Sequence, residues 1–176
     1  QFLNERGGIE ADLTITRLAE DKFLIVTAGA AQTRDFSWIE RHIPEDAHAV
    51  LSDVTAGLPM LGVMGPNSRA LLSKLTGADL GNGAFPFGTS QEVEIGYANV
   101  RASRITYVGE LGWELHMPTE TAAAVFDRLN AAGSSFGLAN AGYRAIESLR
   151  LEKGYRAWGS DITSDDTPLE AGLGFA

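Results

Sequence analysis

The sequence contains no cysteine. That excludes disulfides, thiolate nucleophiles and thiolate zinc sites together, and it fits a reducing compartment. No apolar run approaches the roughly 18 residues that a bilayer-spanning helix needs. The first residues lack the basic, apolar pattern of an export leader. Basic residues are in deficit: 14 Lys and Arg stand against 23 Asp and Glu, a formal net charge of -9. A surface of that sign repels phosphate backbones and argues against a nucleic-acid partner. Phosphate-cradling loops are missing too. No G-x-G-x-x-G follows a strand pattern, and Gly29-Ala30-Ala31 lacks the spacing to hold a pyrophosphate. The chain itself is therefore not expected to bind FAD, NAD or ATP. His42, His48 and His116 fall in no zinc-ligand spacing, so no metal is expected, and no G-x-S-x-G elbow supports serine catalysis.

What is present is an ordinary globular composition: 176 residues, 44% hydrophobic and 21% charged, enough for one domain or two small subdomains. Residues 9–18 alternate, with Ile9, Ala11, Leu13 and Ile15 on one face and Glu10, Asp12, Thr14 and Thr16 on the other. This predicts a half-buried strand. The apolar run 23–28 completes a hairpin with it. A helix is expected from Ala30 to His42, strands at 49–54 and 58–64, and a helix opening at Gly65-Pro66-Asn67-Ser68 with Ala70, Leu71, Leu72 and Leu75 as its stripe. The stretch 77–90, with Gly77, Gly81, Gly83, Gly88 and Pro86, reads as the join between two halves, 1–80 and 81–176. Strands follow at 92–95, 100–107 and 113–117. A helix is expected at 119–132, with Ala123, Val125, Phe126 and Leu129 inward, and another at 141–153. From Gly154 onward a long ordered loop, or an exit into a further part, is expected. The order strand–strand–helix–strand, taken twice, predicts an α+β protein of two ββαβ-type subdomains with mixed or antiparallel sheets. The opening on Gln1 and the apolar pattern begun at 169–176 predict a piece of a longer protein.

Two carboxylate settings carry candidate chemistry. Asp12 sits mid-strand with Thr14 on its face; such a carboxylate is rigidly held and can stabilise a cation or take a proton. It can equally belong to a solvated strand face. The second setting is 107–114, Tyr-Val-Gly-Glu-Leu-Gly-Trp-Glu. Its glycines permit a sharp turn and close approach to a flat ligand. Beyond Gly112, alternation places Glu114 and His116 on one face, opposite Trp113, Leu115 and Met117. A strand-borne carboxylate accepts two parallel hydrogen bonds from an amidine-like edge, and Tyr107 can pack on the ring. A Gly-rich hairpin with solvated glutamates is the alternative. Arg144, Arg150, Lys153 and Arg156 cluster in an otherwise acidic chain. They either steer an anion or, as the favoured reading, pair with Glu147 and Glu152 at the surface.

Five stretches together resemble the aminomethyltransferase (glycine-cleavage T-protein) family: 7–18, 23–29, 61–76, 107–115 and 149–173. They span nearly the whole chain in the family's order, and they look most like the folate-binding region behind the flavin domain of sarcosine and dimethylglycine dehydrogenases. The resemblance implies that Asp12 is catalytic, lying beside the folate nitrogens that take up the one-carbon unit. It implies that Tyr107 and Glu114 hold the pterin, that Thr14 lines the site, and that 5,10-methylenetetrahydrofolate is the product. T-proteins usually carry an asparagine where this chain has Ala28, which favours the dehydrogenase branch. In that branch tetrahydrofolate is the cofactor here, a small N-methyl amine is the substrate, and FAD belongs to a covalently linked flavin domain. A C-terminal barrel would follow the chain. The implied compartment is the bacterial cytoplasm or the mitochondrial matrix. The alternatives are a stand-alone T-protein, a non-catalytic folate-binding relative, and a demethylase acting on a sulfonium donor.

Overall fold

The alternating segment 9–17 does not run as one strand. In the computed structural model, which describes residues 1–175, it breaks at Asp12. β1 (Phe2–Leu3) pairs antiparallel with β2 (Ile9–Ala11), whereas β3 (Leu13–Arg17) forms the expected hairpin with β4 (Phe23–Thr27), in register from Leu13 opposite Thr27 to Arg17 opposite Phe23. The cause lies in the second edge of β2. The Ile9 N–H donates to the Asp166 carbonyl at 3.0 Å, and the Ile9 carbonyl accepts from Trp158 Nε1 at 2.7 Å. β2 is thus held from both sides, and the chain changes ladder after it. Ile9 and Ala11 are buried as the alternation predicts, while Ile15 is 48% exposed.

Contacts divide the chain into one unit made of Gln1–Asp53 with Arg156–Ala176 and another made of Val54–Tyr155. The first holds β1 to β4 and α1 (Gln32–Arg41), close to the expected helix. In α1, Asp35 is buried; its carboxylate accepts from the Thr27 hydroxyl and from Arg34 Nε and Nη2 at 2.8 and 2.6 Å. The Arg34 guanidinium lies 3.4 Å from the Trp158 ring centroid. The segment 49–54, expected as a strand, is irregular and leaves Val50 and Val54 exposed, because no strand among the described residues offers it a ladder. Residues 156–175 are the ordered loop expected, made of turns and one bridge between Trp158 and Ile162.

The second unit is built on a four-stranded antiparallel sheet in the order β5-β8-β7-β6, with β5 Met60–Met64, β6 Ser90–Ile95, β7 Ala98–Ser103 and β8 Gly112–His116. One face carries Val63, Val93, Val100, Trp113 and Leu115 into a core with α2 (Ser68–Leu72) and α3 (Thr119–Gly133). Phe85 packs edge-on to Trp113, centroids 6.1 Å apart. Leu80 and Phe85 belong to this core, so the Gly-rich stretch 77–90 is inside the second unit and the chain does not divide after residue 80. The inward stripe of α3 is Ala122, Val125, Leu129 and Ala132; Ala123 and Phe126 point away. The i, i+3, i+7, i+10 spacing follows one helix face better than the expected set. α4 (Tyr143–Glu152) completes the unit.

The α+β class with antiparallel sheets stands, but the element order does not repeat. The first unit reads ββββα and the second βαβββαα.

Gly8 explains the Gly7-Gly8 doublet. A Cβ on Gly8 would stand 1.9 Å from the Ser164 carbonyl oxygen, while Gly7 turns the chain at φ +83. Gly8→Ala is therefore expected to destabilise the chain by about 2–3 kcal/mol, whereas Gly57→Ala, with nothing near its Cβ, should stay within about 0.5 kcal/mol, as read by urea unfolding.

Candidate ligand-binding site

β8 alternates as its sequence predicts. Trp113 and Leu115 go to the core, and Glu114 and His116 stand on the opposite sheet face. On that face the register aligns Gly62, Glu114 and Ser103 in one row and Met60, His116 and Arg101 in the next. Glu114 is half-buried, and burial alone raises its pKa above the ordinary carboxylate value. Among the described residues no cation or hydrogen-bond donor reaches its carboxylate. Beside it Gly62 is exposed, and a Cβ there would meet only Met64 Cε, at 3.5 Å. The strand neither needs nor uses a side chain at that point, which leaves bare backbone next to the acid. A glycine inside a strand weakens it, and it marks a place where another group approaches the backbone closely. Sequence reading passed over Gly62; its place within the apolar run 58–64 was the available signal.

His116 is buried, and its Nδ1 lies out of water without a hydrogen-bond partner among the described residues. Its pKa is lowered, first by burial and then by the Arg101 guanidinium, so the ring is neutral at neutral pH. Arg101 is itself paired with Glu92 at 2.5 Å. Ser103 Oγ donates to Ser90 Oγ at 3.1 Å.

Tyr107 begins the bend that leads into β8, outside the strand expected at 100–107, since β7 ends at Ser103. Its ring is tilted against Tyr155 at a centroid distance of 6.3 Å. The two glycines of this segment approach the protein itself rather than an open surface. A Cβ on Gly112 would lie 2.7 Å from Met64 Cγ, and one on Gly109, at φ +68, would lie 2.4 Å from Lys153 Cγ. The Lys153 ammonium then pairs with Glu110 at 3.0 Å. Lys153 and Arg150 are therefore spent on holding this loop and the end of α4. Arg150, expected at the surface, is 1% exposed; it pairs with Glu147 and donates to the Tyr155 carbonyl at 2.7 Å.

Asp12 and Thr14 belong to the first unit, Tyr107 and Glu114 to the second. Asp12 is exposed at the junction of β2 and β3, not mid-strand, and Thr14, opposite Val26, is half-buried. In the second unit a cavity of about 240 Å3 opens at the start of α2, lined by Met64, Pro66, Asn67, Phe136 and Leu138 among others; it includes none of the four expected site residues. Among the described residues no His, Asp and Glu set is arranged to hold a metal, and no helix is long and apolar enough to cross a membrane.

Residues 1–176 match the family described as the GCVT N-terminal domain. The chain is 44% identical over 188 residues to a sarcosine dehydrogenase, mitochondrial, of Mus musculus, covering 99% of this chain and 20% of that protein. It is 40% identical over 175 residues to a dimethylglycine dehydrogenase, mitochondrial, of Rattus norvegicus, with the same coverage of 99% and 20%. The chain thus spans a fifth of the length of these dehydrogenases. Among solved structures, the glycine cleavage system aminomethyltransferase T from Bartonella henselae is similar with a TM-score of 0.81 and 32% identity, over 98% of this chain and 45% of that one. With its full length matched and relatives of this similarity, the chain belongs to the GCVT N-terminal domain family.

Proposed function

We propose that this chain is the tetrahydrofolate-binding part of an FAD-dependent N-methyl amine dehydrogenase of the sarcosine or dimethylglycine type, and that it captures the one-carbon unit set free by amine oxidation. The observation that carries this reading is Glu114: a desolvated carboxylate without a partner among the described residues, beside the bare backbone of Gly62. Such a group suits a ligand that brings its own donors. A pterin edge offers an amino group and a ring N–H side by side, and a carboxylate accepts both in parallel. Tyr107, at the entry to β8, is the residue to pack on the ring. When bound, tetrahydrofolate supplies the nitrogens that take up the one-carbon unit. Asp12 is the group to lower the energy of the cationic iminium, and Thr14 to line the same subsite. The FAD belongs to another part of such a protein, consistent with the missing dinucleotide fingerprint. The greater identity to the dehydrogenases than to the aminomethyltransferase structure, and Ala28 at the departure from the T-protein pattern, favour this branch. A reading as glycine-cleavage aminomethyltransferase is supported by the structural likeness and differs in its amine source. The compartment consistent with the mitochondrial relatives is the matrix, or the cytoplasm in a bacterium.

Calorimetric titration of a stable reduced folate tests the reading. Glu114→Gln should weaken binding on the order of 10- to 100-fold, the worth of a charge-assisted hydrogen bond. Unchanged affinity would remove Glu114 from the site. In the full-length protein, Asp12→Asn should lower folate-dependent product by on the order of 100-fold or more while amine oxidation continues. Equal loss of both activities would overturn the role given to Asp12. Offering sarcosine, dimethylglycine and an aminomethylated carrier protein in the same assay identifies the amine.

Stability against pH gives an independent check. Burial raises the Glu114 pKa above its unfolded value, so the fold favours the protonated acid. Above the folded pKa both states are ionised and only the native state bears the desolvation cost; below the unfolded pKa both are protonated and the cost disappears. Glu114→Gln is expected to raise the ligand-free Tm at neutral pH and to lose that gain as the pH falls through the raised folded-state pKa to the ordinary carboxylate value, as read by thermal unfolding across pH.

A further inference from the structure

We infer that His116 is a second ligand-contacting residue of the Glu114 face, donating a hydrogen bond from Nδ1 to a carbonyl of the same ring that Glu114 holds by its N–H groups. This deepens the folate reading and rests on it. Four observations carry it. His116 is two residues from Glu114 on one strand, on the same sheet face, in the adjacent row of the register. The side chain is 5% exposed, and Nδ1 is buried with no partner among the described residues. A buried nitrogen of that kind costs free energy unless a bound group satisfies it. The ring is neutral beside Arg101, and a neutral imidazole carries one N–H donor and one bare nitrogen. Finally, the row beside His116 has the bare backbone of Gly62 as its floor.

An acceptor next to a donor is the complement of a lactam edge, where a ring N–H stands next to a C=O. Glu114 alone cannot tell that edge from a plain amidine, because it takes only N–H groups. With His116 beside it, the face distinguishes a 4-oxo ring from one that carries only donors. The ligand class is therefore a flat heterocycle with adjacent amidine and lactam groups, and His116 is a specificity-determining contact.

The test is a calorimetric titration of a stable reduced folate into the full-length protein and its His116→Leu, His116→Asn and Glu114→Gln variants. Nitrogen-15 spectra of the imidazole are taken with and without ligand. His116→Leu should weaken binding about five- to tenfold. His116→Asn, whose amide places a donor near the Nδ1 position, should stay within about threefold of the parent. In the unsubstituted chain the Nδ1 resonance should shift to the protonated, hydrogen-bonded tautomer on ligand addition. If Glu114→Gln loses binding while both His116 variants bind as the parent does, and Nδ1 does not move, His116 makes no contact and the folate reading survives. Equal weakening by Leu and Asn with a silent Nδ1 would mean that the ring only packs, which also overturns the proposal. No binding by the unsubstituted full-length protein would end both. The spectrum decides the matter even if a variant fails to fold.

Discussion

The alternation of β8 is the constraint on which most of the second unit depends. It is a central strand, paired with β5 on one side and β7 on the other, so its side chains have no freedom to exchange faces. Trp113 and Leu115 commit one face to the core with α2 and α3, and this alone fixes Glu114 and His116 on the other. A slip of one residue would bury a carboxylate among leucines and expose the tryptophan. The polar face is therefore not an option added to the fold. It is the obligatory reverse of the hydrophobic core, and the energy that buries Trp113 also aims Glu114.

The loop before β8 shows the same economy of parts. Gly109 lets the Lys153 stem lie against the backbone, and the ammonium reaches Glu110. Arg150, nearly inaccessible, ties Glu147 to the carbonyl of Tyr155. Tyr107 and Tyr155 face each other at the ends of these two segments. Arg150 and Lys153, two of the basic residues that the acidic composition made conspicuous, thus fasten this loop to the end of α4. A buried pair of this type gains little over an apolar contact but specifies one geometry.

Much of this was legible in the sequence because it rests on short-range periodicity. The hairpin of β3 and β4, helices α1, α3 and α4, and the two faces of β8 follow from spacing two or spacing near four. What escaped was set by contacts distant in sequence. The alternation through 9–17 carries no sign that Trp158 and Asp166 will claim the backbone of Ile9 and break the strand at Asp12. The Gly- and Pro-rich 77–90 looks like a linker, yet it lends Leu80 and Phe85 to the core. The motif glycines were read as room for a ligand, and the space at Gly112 is filled by Met64 instead. The glycine that does leave open backbone, Gly62, is marked in the sequence only by its place inside the apolar run 58–64.

The first unit is assembled from the two ends of the chain, with the backbone of Gly8 against that of Ser164 and the whole second unit inserted between them. This sets an order of events during synthesis. The second unit is complete once Tyr155 has left the ribosome and can acquire its core at once. β2 must wait for residues 158 to 166, with one edge unpaired through about 150 further additions, roughly 7 to 30 seconds at ordinary elongation rates. For that interval Ile9 and Ala11, which end among the least accessible residues of the chain, belong to an open strand edge, the kind of surface that chaperones cover and aggregates recruit.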